Sequence, residues 1–145
     1  MKPARLMIVA ALLGLVGQTA MAEEFEVKML NKGEKGTMVF EPDFIRAKVG
    51  DTVRFIPVDK GHDAQTVPGM LPDGAEPLDG KTNEEVVLTL DRDGVWGIRC
   101  KPHYGLGMVA LIVAGDPVNL DAVKKVRAAG KAKKVFKELF EELDD

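Results

Sequence analysis

The sequence predicts an all-β domain, an antiparallel sandwich or barrel, followed by two short helices. Three observations predict it. From Glu24 to Ala114 the apolar residues recur mostly with a period of two, in short runs. Gly, Pro, Asn and Asp break those runs at close intervals. After Gly115 the period lengthens to that of an amphipathic helix.

Phe25, Val27 and Met29 alternate with Glu24, Glu26 and Lys28, which predicts a half-buried strand. Asn31 to Gly36 turns the chain, and Met38-Val39-Phe40 opens a second extended piece. Glu41-Pro42-Asp43 interrupts it, because proline offers no N–H to a ladder and so marks an edge or a bulge. Phe44, Ile45, Ala47 and Val49 resume it as far as Gly50-Asp51. Thr52 to Val58 is a strand with Val53 and Phe55 on one face and Arg54 on the other. Asp59 to Gly61 leads into His62, and Asp63 to Val67 is a short strand. Pro68 to Lys81, rich in Pro and Gly, is an irregular excursion over one edge. Val86, Leu88 and Leu90 face one way in the strand Glu85 to Leu90. Asp91-Arg92-Asp93-Gly94 reads as a hairpin turn into Val95 to Cys100. Met108 to Ala114 is continuously apolar and therefore buried on both faces.

Asp116-Pro117-Val118-Asn119 has the chemistry of a turn and a helix N-cap. Leu120, Val123 and Val126 follow at helical spacing, and Gly130 breaks the run. Ala132, Val135, Phe136, Leu139, Phe140 and Leu143 then form one stripe, a face that docks on the sandwich.

The first 22 residues read as a leader rather than as fold. Lys2 and Arg5 give a positive start, Met7 to Val16 an apolar run too short to span a bilayer comfortably, and Ala20-Met21-Ala22 a cleavage site after Ala22. The organisation is therefore a signal peptide over 1–22, a sandwich over 23–115 and a helical tail over 116–145. The 145-residue chain carries a formal net charge of −3, and the leader holds bases but no acids. An acidic chain of this size is a poor nucleic-acid binder, and no second apolar run is long enough for a membrane span.

One cysteine, two histidines and seven methionines are present. A lone cysteine in an exported chain cannot form an internal disulfide. Cys100, His103 and Met108 fall within nine residues, in the pattern C-x2-H-x4-M between two strands, and His62 lies in a separate loop. Thiolate, two imidazoles and a thioether form the ligand set of a type 1 copper electron-transfer site. Soft ligands suit Cu(I), imidazoles suit both oxidation states, and strand ends hold the set rigidly. Pro102 stiffens the loop, while Gly105 and Gly107 allow it to return Met108.

The rival chemistries fit less well. A Cys–His hydrolase needs an orienting third group and an oxyanion hole, and no such signature surrounds Cys100. Structural zinc uses more thiolates and no methionine. A copper storage or delivery module is the alternative reading, but four of the seven methionines remain after the leader, and they are scattered.

On these residues the chain resembles the cupredoxins, and among them the pseudoazurins. The resemblance covers the chain after the leader and includes Glu24 to Asn31, Met38 to Pro42, Gly50 to Val53, Phe55 to Pro57, Asp59 to His62, Pro72 to Glu76 and Cys100 to Met108. Plastocyanins share C-x2-H-x4-M but lack the two-helix tail; azurins and amicyanins space the ligand loop differently. The resemblance implies a Greek-key β-sandwich of two sheets with C-terminal helices packed on it. It implies one type 1 copper ion on His62 Nδ1, Cys100, His103 Nδ1 and Met108. It implies no enzymatic activity, but electron donation in the periplasm, typically to copper nitrite reductase in denitrification; an electron shuttle works best as a monomer.

One residue departs from that pattern. Asp63 stands where pseudoazurins carry Asn, whose side chain ties the two ligand loops together. A carboxylate cannot donate as the amide does, and its charge favours a lower potential. In the family the edge of the imidazole at the His103 position reaches the surface through an apolar patch. Met38, Pro57, Pro102 and Leu106 would line it here, ringed by Lys32, Lys60, Arg99 and Lys101. Such a ring steers an acidic redox partner.

Overall fold

The computed structural model describes Gly17 and residues 20–145, so nearly all of the expected leader lies outside the described residues. Eight strands form two four-stranded sheets. In chain order they are β1 (Glu24–Gly33), β2 (Gly36–Glu41), β3 (Phe44–Ala47), β4 (Thr52–Pro57), β5 (Gln65–Thr66), β6 (Val86–Thr89), β7 (Gly94–Arg99) and β8 (Val109–Ala114). One sheet has the order β2-β1-β4-β6 and the other β3-β8-β7-β5. This is the two-sheet β-sandwich that the resemblance implies.

Two strand-pairing expectations are corrected. The sheets are mixed rather than antiparallel: β1 runs parallel to β4, and β3 parallel to β8. The chain changes sheet between β2 and β3, where Pro42 ends the ladder, and strands brought together by such crossings need not run opposite ways. Asp91 to Gly94 is likewise no hairpin, because β6 and β7 lie in different sheets and the turn bridges them. The expected strand Asp63 to Val67 shrinks to Gln65 and Thr66, paired with β7.

Alternation decides which side chains meet between the sheets. Val27, Met29, Val53, Phe55, Leu88 and Leu90 enter the inner core with Trp96, Ile98, Ala110 and Ile112. Phe40 meets Phe55 edge to face, with centroids 5.7 Å apart. Strand β8 is buried along its whole length. Its even positions fill the inner core, and Val109, Leu111 and Val113 point the other way into a second core.

The helices α1 (Leu120–Lys124) and α2 (Ala132–Asp144) cover that outer face. Val123, Ala132, Phe136, Leu139 and Leu143 are buried there, as the helical spacing predicts, beside Val67, just past β5, and Met70 of the irregular excursion. Asn119 stands at the N-cap position of α1, but its side chain makes no capping bond. Its Oδ1 accepts the Val95 N–H at 2.7 Å and its Nδ2 donates to Val95 O at 2.9 Å, so the side chain completes the edge of β7 instead. Among the described residues no helix is long and apolar enough to cross a membrane.

Candidate metal centre

Two strand ends and two loops bring the predicted residues together. Cys100 follows β7 directly, and Met108 immediately precedes β8. The loop between them closes on itself: Cys100 N–H donates to Met108 O at 3.0 Å, His103 N–H to Cys100 O at 3.2 Å, and Met108 N–H to His103 O at 3.3 Å. Tyr104–Leu106 forms one 3-10 turn, ended by Gly107 at φ +91°, where a side chain would be strained. His62 arrives from the turn after β4.

Cys100 Sγ lies 3.8 Å from His62 Nδ1 and 3.5 Å from His103 Nδ1, and the two Nδ1 atoms are 3.2 Å apart. A triangle of these sides leaves room at its centre for an ion about 2 Å from each corner, the bond length of an imidazole to zinc and a few tenths of an ångström short of that of a thiolate, about 2.3 Å. Among the described residues, His62, Cys100 and His103 form a cluster fit to hold a metal. Met108 is wholly buried in the same core cluster as Cys100, beside the loop. The donor set therefore fits copper: one soft thiolate, two imidazoles and a thioether, with His62, Cys100 and Met108 buried and His103 half-buried.

The electrostatics prepare the nitrogen and sulfur atoms differently. Burial holds the His62 imidazole below its usual range, and the neighbouring His103 adds to this, so His62 is neutral and its nitrogen free to ligate. Its Nε2 pairs with Asn31 Oδ1 at 2.8 Å. Nε2 therefore carries the proton and Nδ1 keeps its lone pair, aimed at the cluster. Burial pushes the Cys100 thiol up; the backbone N–H groups of Asp63 and His103 pull against it, and the Asp63 charge adds to the rise.

Asp63 keeps a tie between the loops by accepting. Its buried carboxylate accepts the Lys101 N–H at 2.6 Å, so the segments holding His62 and Cys100 stay joined without an amide donor. Asn31 is the residue that motif spacing did not reveal as part of the site. It lies in β1, far from both motifs in sequence, and only the β1–β4 pairing brings it to His62. Of the expected surface residues, Lys32, Lys60, Lys101 and Pro102 are exposed, Leu106 is 57% exposed, and Met38 and Pro57 are half-buried. Arg99 is half-buried with its guanidinium over the Tyr104 ring, 5.4 Å from the centroid.

Comparison with known proteins agrees with this geometry. The family described as copper binding proteins, plastocyanin/azurin family, matches residues 27–115. The chain is 47% identical over 125 residues to the pseudoazurin of Paracoccus pantotrophus, covering 86% of each chain. It is 44% identical over 143 residues to that of Methylorubrum extorquens, covering 96% of this chain and 97% of the other. A solved Sinorhizobium pseudoazurin superposes with a TM-score of 0.83 at 47% identity, over 85% of this chain and 98% of that one. Fold, donor set and likeness converge: the chain belongs to the plastocyanin/azurin family of copper-binding proteins, among the pseudoazurins, which are type 1 copper electron carriers.

Proposed function

We propose that His62, Cys100, His103 and Met108 hold one copper ion, and that the chain carries single electrons in the periplasm as a monomer, donating to a copper nitrite reductase. The observation that carries this reading is the triangle of Cys100 Sγ and two Nδ1 atoms, with Met108 buried in the same core cluster as Cys100. When bound, copper supplies a one-electron couple, Cu(II) to Cu(I). The protein's part is to keep the ligands nearly still as the charge changes. The rungs between Cys100 and Met108 fix three donors, and Asn31 and the Asp63 tie fix the fourth.

Export rests on the leader-like start of the sequence, and the partner on the family's role. Lys32, Lys60 and Lys101 support docking near the site, since each is exposed and lies within two residues of Asn31, His62 or Cys100. A basic ring of this kind raises the rate of encounter with an acidic partner while a small apolar centre lets the complex part quickly.

The visible spectrum with one equivalent of Cu(II), before and after ascorbate, tests the copper assignment. An intense thiolate-to-copper band that bleaches reversibly is expected; a pale spectrum points instead to storage or delivery. For the partner, K60E and K101E should slow electron transfer to nitrite reductase at low salt, with the difference vanishing at high salt. Rates equal to wild type at low ionic strength would remove these lysines from the docking face.

A further inference from the structure

The tail does more than cover the outer core: its second helix is bonded to the metal-binding loop. Lys131 N–H donates to Gly105 O at 3.0 Å. Met108 N–H turns to His103 O, so the Gly105 carbonyl takes its partner from outside the loop. Gly130, at φ +50°, allows the approach; a Cβ there would lie 2.6 Å from Gly105 O and 3.3 Å from Gly105 Cα. The next turn of α2 packs on the loop as well. A Cβ on Gly107 would meet Val135 Cγ2 at 3.1 Å and Lys131 Cγ at 3.3 Å. Tyr104 packs against the second core, among the side chains under α2. Tyr104, Gly105 and Gly107 are thus braced by the tail, which leaves only Leu106 of the four residues between His103 and Met108 largely free.

We infer that the helical tail is a positioning device for the copper loop, and that the Lys131 N–H to Gly105 O bond is the contact through which it acts. The inference rests on the copper reading above. A loop that yields lets an imidazole or thioether drift from the metal, and Cu(I) tolerates the loss of a ligand better than Cu(II). Weakening the brace therefore favours the reduced protein.

The substitution K131P removes this donor and sets the ring Cδ where its hydrogen stood, so the Gly105 carbonyl loses its partner and is pushed away from the tail. Lys131 has φ −67°, which proline adopts, and it stands at the start of α2, where a missing N–H is tolerated. K131A, which keeps the N–H, is its control. The copper-loaded full chain is equilibrated with a reference couple that gives one electron to Cu(II). K131P is expected to move the oxidised-to-reduced ratio at least about threefold toward the reduced protein, about 28 mV at 59 mV per tenfold for one electron. Its thiolate-to-copper bands should also change in relative intensity, while K131A matches wild type. The proposal is overturned if K131P equals wild type in ratio and spectrum, even with a lowered melting temperature, or if K131A shifts as far as K131P. Should K131P fail to fold, G130A crowds the same carbonyl, with a shift supporting the proposal and no shift overturning it. A wild-type chain with no thiolate-to-copper band fails the copper assignment itself, and the tail proposal with it.

Discussion

Asn31 provides the sharpest test of how the protein prepares its site. His62 is wholly buried, and its Nε2 has Asn31 Oδ1 as partner at 2.8 Å. Replacing Asn31 by Leu keeps the volume and removes the acceptor. Without copper the imidazole can answer by moving its proton to Nδ1, where His103 Nδ1 lies 3.2 Å away. Copper needs the Nδ1 lone pair, so binding forces the proton back onto an Nε2 with no partner. A buried donor left unsatisfied costs about 1–3 kcal/mol. At about 1.4 kcal/mol per tenfold, copper affinity should fall about 5- to 150-fold. The assay is competition against a chelator of known affinity, followed by the thiolate-to-copper band. N31A should cost less than N31L, because the smaller side chain admits a water to take the proton. Affinity of N31L within about twofold of wild type would refute the tautomer argument.

Three further outcomes follow from the same geometry. Because burial raises the Cys100 thiol and keeps His62 neutral, copper uptake near neutral pH should displace one proton, from sulfur; log affinity should rise by about one per pH unit. A flat profile between pH 6 and 8, roughly the window in which a raised thiol stays protonated, would contradict this. Phe136 is 2% exposed beneath α2, and F136A should lower the apo-protein's unfolding free energy by about 3–5 kcal/mol in urea; a loss below about 1 kcal/mol would mean the tail is not docked. Asp51 accepts the Glu23 and Lys48 N–H groups at 2.8 Å each, and these bonds hold its carboxyl below the usual carboxylate range. Its contribution is therefore present above the unfolded-state value of about 3.9 and lost as the pH falls through the lower folded one. D51N should be less stable than wild type at pH 7, with the gap closing in acid, and a gap independent of pH would refute the assignment.

Much of this protein is local and therefore legible in its sequence. The period of two in β1, β4 and β6, the unbroken apolar run of β8 and the stripe of α2 each report which faces are buried, because burial repeats with backbone geometry. Cys100, His103 and Met108 were readable as a set because one short loop between two strands carries all three. What the sequence could not determine depends on which distant segments meet. The two parallel pairings arise from sheet crossings that leave no mark in hydrophobic period, and β7, the second strand of the expected hairpin, lies in the other sheet for the same reason. Asn31 reaches His62 across the β1–β4 pairing, Asp63 ties two loops by accepting the Lys101 N–H, and the Asn119 side chain completes a strand edge instead of capping α1. The Lys131 bond to Gly105 joins the tail to the metal loop. Each is a directional hydrogen bond between residues far apart in the chain, and its geometry exists only once the sheets and helices have packed.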